Sequence, residues 1–67
     1  MVEIVVNGDP LEVEENSTVS QLLVRLKVPR EAVAVEINRA IIPKTTHDGQ
    51  VLQAGDEVEI VTFVGGG

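Results

Sequence analysis

Val2-Glu3-Ile4-Val5-Val6-Asn7-Gly8-Asp9-Pro10-Leu11-Glu12-Val13-Glu14 decides the fold. Val2, Ile4 and Val6 recur at every second position, the period of a strand with one face turned to a core. Asn7-Gly8 comes next, the dipeptide best suited to the φ > 0 positions of a tight hairpin turn. Leu11-Glu12-Val13-Glu14 resumes the alternation as a return strand. Pro10 has no N–H to donate, which suits the edge of a sheet. The chain therefore opens on a β-hairpin, and something later in the sequence must cover its apolar face.

The cover is a helix. Thr18 is a helix N-cap, with Gln21 three residues on to complete a capping box. Val19, Leu22, Leu23 and Leu26 fall at i, i+3, i+4 and i+7 and form one apolar stripe. Arg25 and Lys27 stand in the last turn, where positive charge complements the exposed carbonyls. Pro29 disfavours helical geometry at Val28 and closes a helix of about ten residues. Val33-Ala34-Val35-Glu36-Ile37 alternates as a third strand, succeeded by Asn38-Arg39 and a short apolar pair, Ile41-Ile42, that Pro43 ends. Residues 44–50 are polar and turn-rich, with Asp48-Gly49 at their centre. Val51-Leu52 is too short for a regular element and is expected to tuck one side chain into the core. After an Ala54-Gly55-Asp56 turn, Glu57 to Phe63 reads as the final strand.

First and last strands that share a sheet across a helical connection pair naturally in parallel. The expected fold is thus α+β, a β-grasp with a mixed sheet of four to five strands packed on one main helix. The expected division is a domain at 1–64 and a flexible glycine tail at 65–67.

Composition excludes several classes of function. The 67 residues suit one small domain, and the absence of cysteine removes disulfides and thiolate metal sites. A formal charge of −6, a pI near 4.4 and the lack of Trp and Tyr argue against nucleic acid. No apolar run nears the ~20 residues needed to span a bilayer, and no signal-peptide pattern opens the chain. A soluble, cytoplasmic monomer is expected. All five basic residues, Arg25, Lys27, Arg30, Arg39 and Lys44, lie mid-chain between two acidic ends. His47 beside Asp48 reads as a solvated loop residue, and Glu57 and Glu59 as an outward, solvated face. Gly8, Gly49 and Gly55 are isolated turn residues and form no phosphate-binding loop.

What remains is the end of the sequence, Phe63-Val64-Gly65-Gly66-Gly67. Three glycines lack Cβ atoms and, fully extended, reach roughly 10 Å. Such a tail can carry a carboxylate into another protein's channel, with Gly67 as the group that reacts. If Val58 and Ile60 fill the core, alternation turns Val61 and Phe63 outward. Val5, outward on the first strand, is expected near them, and together they read as a docking patch at the base of the tail.

The whole chain resembles the ThiS family of ubiquitin-like sulfur carriers. The resemblance rests on the Asn7-Gly8 hairpin, Thr18-Val19 before Leu22-Leu23, Val33 to Asn38, Ile41-Ile42-Pro43-Lys44, Gly55-Asp56 before Glu57 to Ile60, and the glycine end. The related small subunit of molybdopterin synthase commonly has proline in its approach to the diglycine, whereas Val61 to Val64 has none. The resemblance implies a carrier for thiamine biosynthesis that is a substrate and not an enzyme. Its Gly67 carboxylate would be adenylated by an E1-like (ThiF-like) adenylyltransferase, which binds the ATP, so that this chain itself needs no cofactor and no metal. The adenylate would become a thiocarboxylate with sulfur from a system such as a cysteine desulfurase, and would donate it to a ThiG-like thiazole synthase. Partner contacts are expected from Gly65, Gly66, Val64, Phe63, Val61 and Val5. The alternatives are a carrier serving molybdopterin or another acceptor, a ubiquitin-like protein modifier, and a passive interaction domain.

Overall fold

The computed structural model describes residues 1–63. Strands β1 (Val2–Val6) and β2 (Asp9–Val13) form the opening hairpin, and helix α1 (Val19–Leu26) comes after it. A 3₁₀ turn at Arg30–Ala32 leads into β3 (Val33–Ile37) and β4 (Ala40–Ile42). A second 3₁₀ turn at Lys44–Thr46 precedes β5 (Glu57–Thr62). The five strands make one sheet in the order β2-β1-β5-β3-β4. β5 lies at the centre, parallel to β1 and antiparallel to β3. This is the expected β-grasp, and Pro10 sits on the edge strand where its missing donor costs no ladder bond.

The helix starts as the sequence dictates. Thr18 Oγ1 accepts from Gln21 N at 3.2 Å and Gln21 Oε1 accepts from Thr18 N at 2.9 Å, a reciprocal capping box. Val19, Leu22 and Leu23 are buried and Leu26 is partly so. They meet Ile4, Val33, Val35, Val58 and Ile60 from the sheet and Leu52 from the loop. Val51 bridges to Thr18 while Leu52 turns inward, as its isolated apolar pair suggested. Of the three first-strand residues expected in the core, Ile4 is fully buried and Val2 and Val6 are half-buried.

Two expectations are corrected. The helix ends one step before Pro29 acts: Lys27 takes a left-handed φ of 59°, its N–H reaches the Val24 carbonyl, and Val28 N donates to Leu23 O at 3.1 Å. That pair of bonds is a Schellman-type stop, here made without glycine. His47, expected in solvent, is completely buried. The loop folds back over the start of α1, where Val19 N donates to Gln50 O and Ser20 N to His47 O. These bonds satisfy N–H groups that a helix cannot satisfy by itself. That closure is what buries the imidazole. Nε2 donates to the Ile42 carbonyl at 3.1 Å, and Nδ1 has no partner among the described residues.

His47 is thus a packing residue, which makes a definite prediction. His47→Ala removes a fully buried ring and should cost about 2–3 kcal/mol, as large-to-small core changes do. For a domain of this size the melting temperature should fall by roughly 10–20 °C, read by calorimetry or circular dichroism.

Candidate functional site

β5 carries the site, and its neighbours fix it at both ends. At its start, Asn38 N donates to Glu57 O at 2.8 Å, and Asn38 Oδ1 accepts from Glu57 N at 3.0 Å. Asp56, buried just before the strand, accepts from Asn38 Nδ2 at 3.1 Å and from Gln53 N at 2.8 Å. Those two donors are what make a buried carboxylate tolerable there. Further along, β1 ends at Val6, but its pairing row continues. Asn7 N donates to Val58 O, and the Asn7 side-chain amide then takes the place of a strand backbone. Its Oδ1 accepts from Ile60 N at 2.8 Å and its Nδ2 donates to Ile60 O at 3.2 Å. On the other side the register with β3 ends at Val33–Thr62, and Phe63 N donates to Ala32 O at 2.7 Å, in the turn just before β3, so the bonding runs on to the last described residue.

Alternation along this held strand sorts its side chains. Val58 and Ile60 are buried, whereas Glu57, Glu59, Val61 and Phe63 are exposed. Val61 is 52% exposed and Phe63 53% exposed. Val61 stands opposite Ala34, and one row back Glu59, Glu36 and Ile41 align across β5, β3 and β4. Ile41 is 74% exposed, so Phe63, Val61, Ala34 and Ile41 form an apolar patch toward the end of β5. Exposed apolar residues gathered in one place mark a contact surface. Sequence reasoning does not single out Ile41, although period-2 alternation in Ile41-Ile42 requires one of the two to face out.

Val5 is the exception. It pairs with Glu57, four residues before Val61, which at strand rise is about 13 Å away. Its cross-strand neighbour on β2 is Pro10, so Val5 belongs to the far end of the open face and not to the patch. Val64, Gly65, Gly66 and Gly67 lie outside the described residues, as does the expected boundary between 64 and 65. Among the described residues no group of three His, Asp or Glu could hold a metal ion. No helix among them is long and apolar enough to cross a membrane.

The pattern of the ThiS family matches residues 2–67, almost the entire chain. The chain belongs to the ThiS family. A crystal structure of a thiamine biosynthesis protein (ThiS) from Geobacter metallireducens superposes with a TM-score of 0.83 at 38% identity, covering 98% of this chain and all of that one. Thiazole synthases of Magnetococcus marinus and Paramagnetospirillum magneticum are 41% and 39% identical over 66 residues, covering 98% of this chain. The chain spans 20% of the length of those two relatives. The chain is therefore matched both along the whole of one solved chain and within much longer proteins.

The sorting of side chains on β5 of this ThiS-family chain can be checked directly. Phe63→Ala trims a half-exposed ring, and the melting temperature should fall by less than about 5 °C. Ile60→Ala, on the inward face, should cost about 2–5 kcal/mol and lower it by at least about 10 °C.

Proposed function

We propose that this chain is a sulfur carrier for thiazole formation in thiamine biosynthesis, working as a substrate of other enzymes. Membership of the ThiS family along almost the whole chain carries the reading. The apolar patch at the end of β5 supports it, because that strand leads in sequence into the glycines. The match within two thiazole synthases supports a ThiG-like acceptor.

The chemistry is dictated by what a carboxylate lacks. Its charge repels nucleophiles and oxide is a poor leaving group. Attack of a Gly67 carboxylate oxygen on the α-phosphorus of ATP releases pyrophosphate and forms an acyl-adenylate. Sulfur at the oxidation level of sulfide then attacks the acyl carbon, the C–S bond forms, and AMP leaves. A persulfide donor, such as that of a cysteine desulfurase, also requires a thiol to cleave the S–S bond. The product is a thiocarboxylate, a good sulfur nucleophile for the acceptor. A ThiF-like adenylyltransferase holds the ATP, and this chain supplies recognition and the reacting terminus. Without an internal cysteine, it has no thiol of its own to capture the activated glycine.

Intact mass of the protein taken from cells that make thiamine tests the reading: a fraction should carry one oxygen-for-sulfur exchange localised to Gly67. High-mass conjugates would show a protein modifier instead, and an unmodified terminus in cells with an intact pathway would exclude carriage. Within the reading, Gly65 and Gly66 serve by having no side chain. Gly66→Ala adds one methyl to an approach that must place a carboxylate against bound ATP, and misplacement on the order of 1 Å costs about a hundredfold. The expected outcome is a parent-like melting temperature with adenylation, read as pyrophosphate release, reduced by roughly that factor. Adenylation at the parent's rate would reduce the glycines to a spacer.

A further inference from the structure

Asn7-Gly8 closes the first hairpin with positive φ at both residues, 48° and 88°. Asn-Gly and Asp-Gly serve such a turn equally well, so the turn itself does not require an amide. The tie to β5 does. Asn7 Oδ1 accepts from Ile60 N at 2.8 Å and Nδ2 donates to Ile60 O at 3.2 Å. A carboxylate in the same place would keep the first bond and set oxygen against oxygen at the second, because it has no N–H to give. Among the described residues this amide is also the last tie between the end of β1 and β5.

The same dipeptide carries a reaction of its own. Glycine has no side chain to hinder its nitrogen, and both residues are exposed to solvent. Gly8 N, giving its proton to solvent base, attacks Asn7 Cγ; a C–N bond closes a succinimide ring and the side-chain nitrogen leaves as ammonia. Water then adds to one ring carbonyl and cleaves its bond to Gly8 N. Opening at Cγ leaves aspartate, and opening at the main-chain carbonyl leaves isoaspartate. One water enters, one ammonia leaves, and nothing is oxidised or reduced.

The native geometry holds this reaction off. The sheet order β2-β1-β5 puts Ile60 on one side of β1, whereas the turn through Gly8 leads to β2 on the other. For Cγ to meet Gly8 N, the amide must swing off Ile60 and give up both bonds. We propose that Asn7 is a modification site: its amide converts to a carboxylate when the contact between β1 and β5 opens, and the carboxylate cannot restore that contact. Opening is reversible and conversion is not, so each chain that has opened and reacted stays altered. Conversion to aspartate spares the hairpin and strikes the central strand, just before Val61 and Phe63. The reaction uses water alone and is the same whatever the chain carries.

The test holds the purified full chain at neutral pH, native and in urea above its unfolding transition, and follows each asparagine by peptide mass and isoaspartate content. Conversion should come at Asn7 ahead of Asn16-Ser17 and Asn38-Arg39, where the following residue bears a side chain. The native rate should lie at least about tenfold below the rate in urea, since only opened molecules react. Converted chains, separated by their added charge, should melt at least about 5 °C below the parent. Their Ile60 amide hydrogen should exchange at least about tenfold faster. Asn7→Asp should reproduce both changes without any incubation. Native conversion as fast as in urea overturns the proposal, because the fold then gates nothing. So does a native chain that never converts at Asn7 or converts first at another asparagine. Parent-like melting and Ile60 exchange in Asn7→Asp overturn it as well, because the carboxylate would then hold β5 as the amide does.

Discussion

The parallel pairing of β1 with β5 is the contact on which the structure depends. It joins the two ends of the sequence at the middle of the sheet, through Val5 N to Asp56 O at 2.9 Å and Asn7 N to Val58 O at 2.9 Å. Regular pairing spans only Val5–Glu57 and Val6–Val58. Two rungs are a narrow seam for a central strand, and the Asn7 amide extends it by a third, at Ile60. The same residue therefore turns the first hairpin and holds the last strand. Closing a contact across some fifty positions is entropically expensive, so it must form together with the burial of Ile4, Val58 and Ile60 beneath the helix. A domain of 67 residues has little stability to spare for an alternative.

With β5 held between β1 and β3, the stretch between β4 and β5 is free to do a second job. It crosses the start of α1, accepts from Val19 N and Ser20 N, inserts Leu52 into the core and seals His47 beneath itself. Arg30 and Asp48 add an ion pair at 3.7 Å, exposed and worth little by itself. The helix is thus fixed at its N-terminus by the loop and at its far end by the bond from Arg25 to the Glu12 carbonyl at 2.6 Å.

Local periodicity made most of this legible in the sequence. Strands, helix and capping box depend on neighbours within four residues, and each element is found where the alternation and the i, i+3, i+4 stripe put it, with ends that differ by a residue or two: the return strand is Asp9–Val13, the helix Val19–Leu26 and the final strand Glu57–Thr62. What was not legible depends on distant parts. The position of Val5 relative to Val61 is set by the stagger between β1 and β5, which no local pattern records. His47 is polar in a polar loop, and only the fold-back over α1 encloses it. The helix stop at Lys27 and the second hairpin turn use left-handed residues without the glycine that normally announces them. The outward Val61 and Phe63 were readable because a strand's period survives any stagger, whereas their partner Ile41 required the β3–β4 register as well.

If the chain is the carrier proposed above, the patch and the run of glycines that succeeds β5 in sequence make opposite demands on the backbone. On the carrier reading, docking through Phe63, Val61 and Ile41 would need side chains held in one geometry, and the bonds at Ile60 and Phe63 hold the strand that leads to two of them. Entry into a narrow channel needs the opposite, backbone with no side chains to exclude. Exposed valine, isoleucine and phenylalanine would by themselves favour self-association. The adjoining row of Glu59 and Glu36, within a chain of net charge −6, sets two copies against each other when those faces approach. A partner with complementary charge feels the reverse. On the carrier reading, the charges around the patch would select which surface covers it, and the apolar area would supply the energy once that surface had arrived.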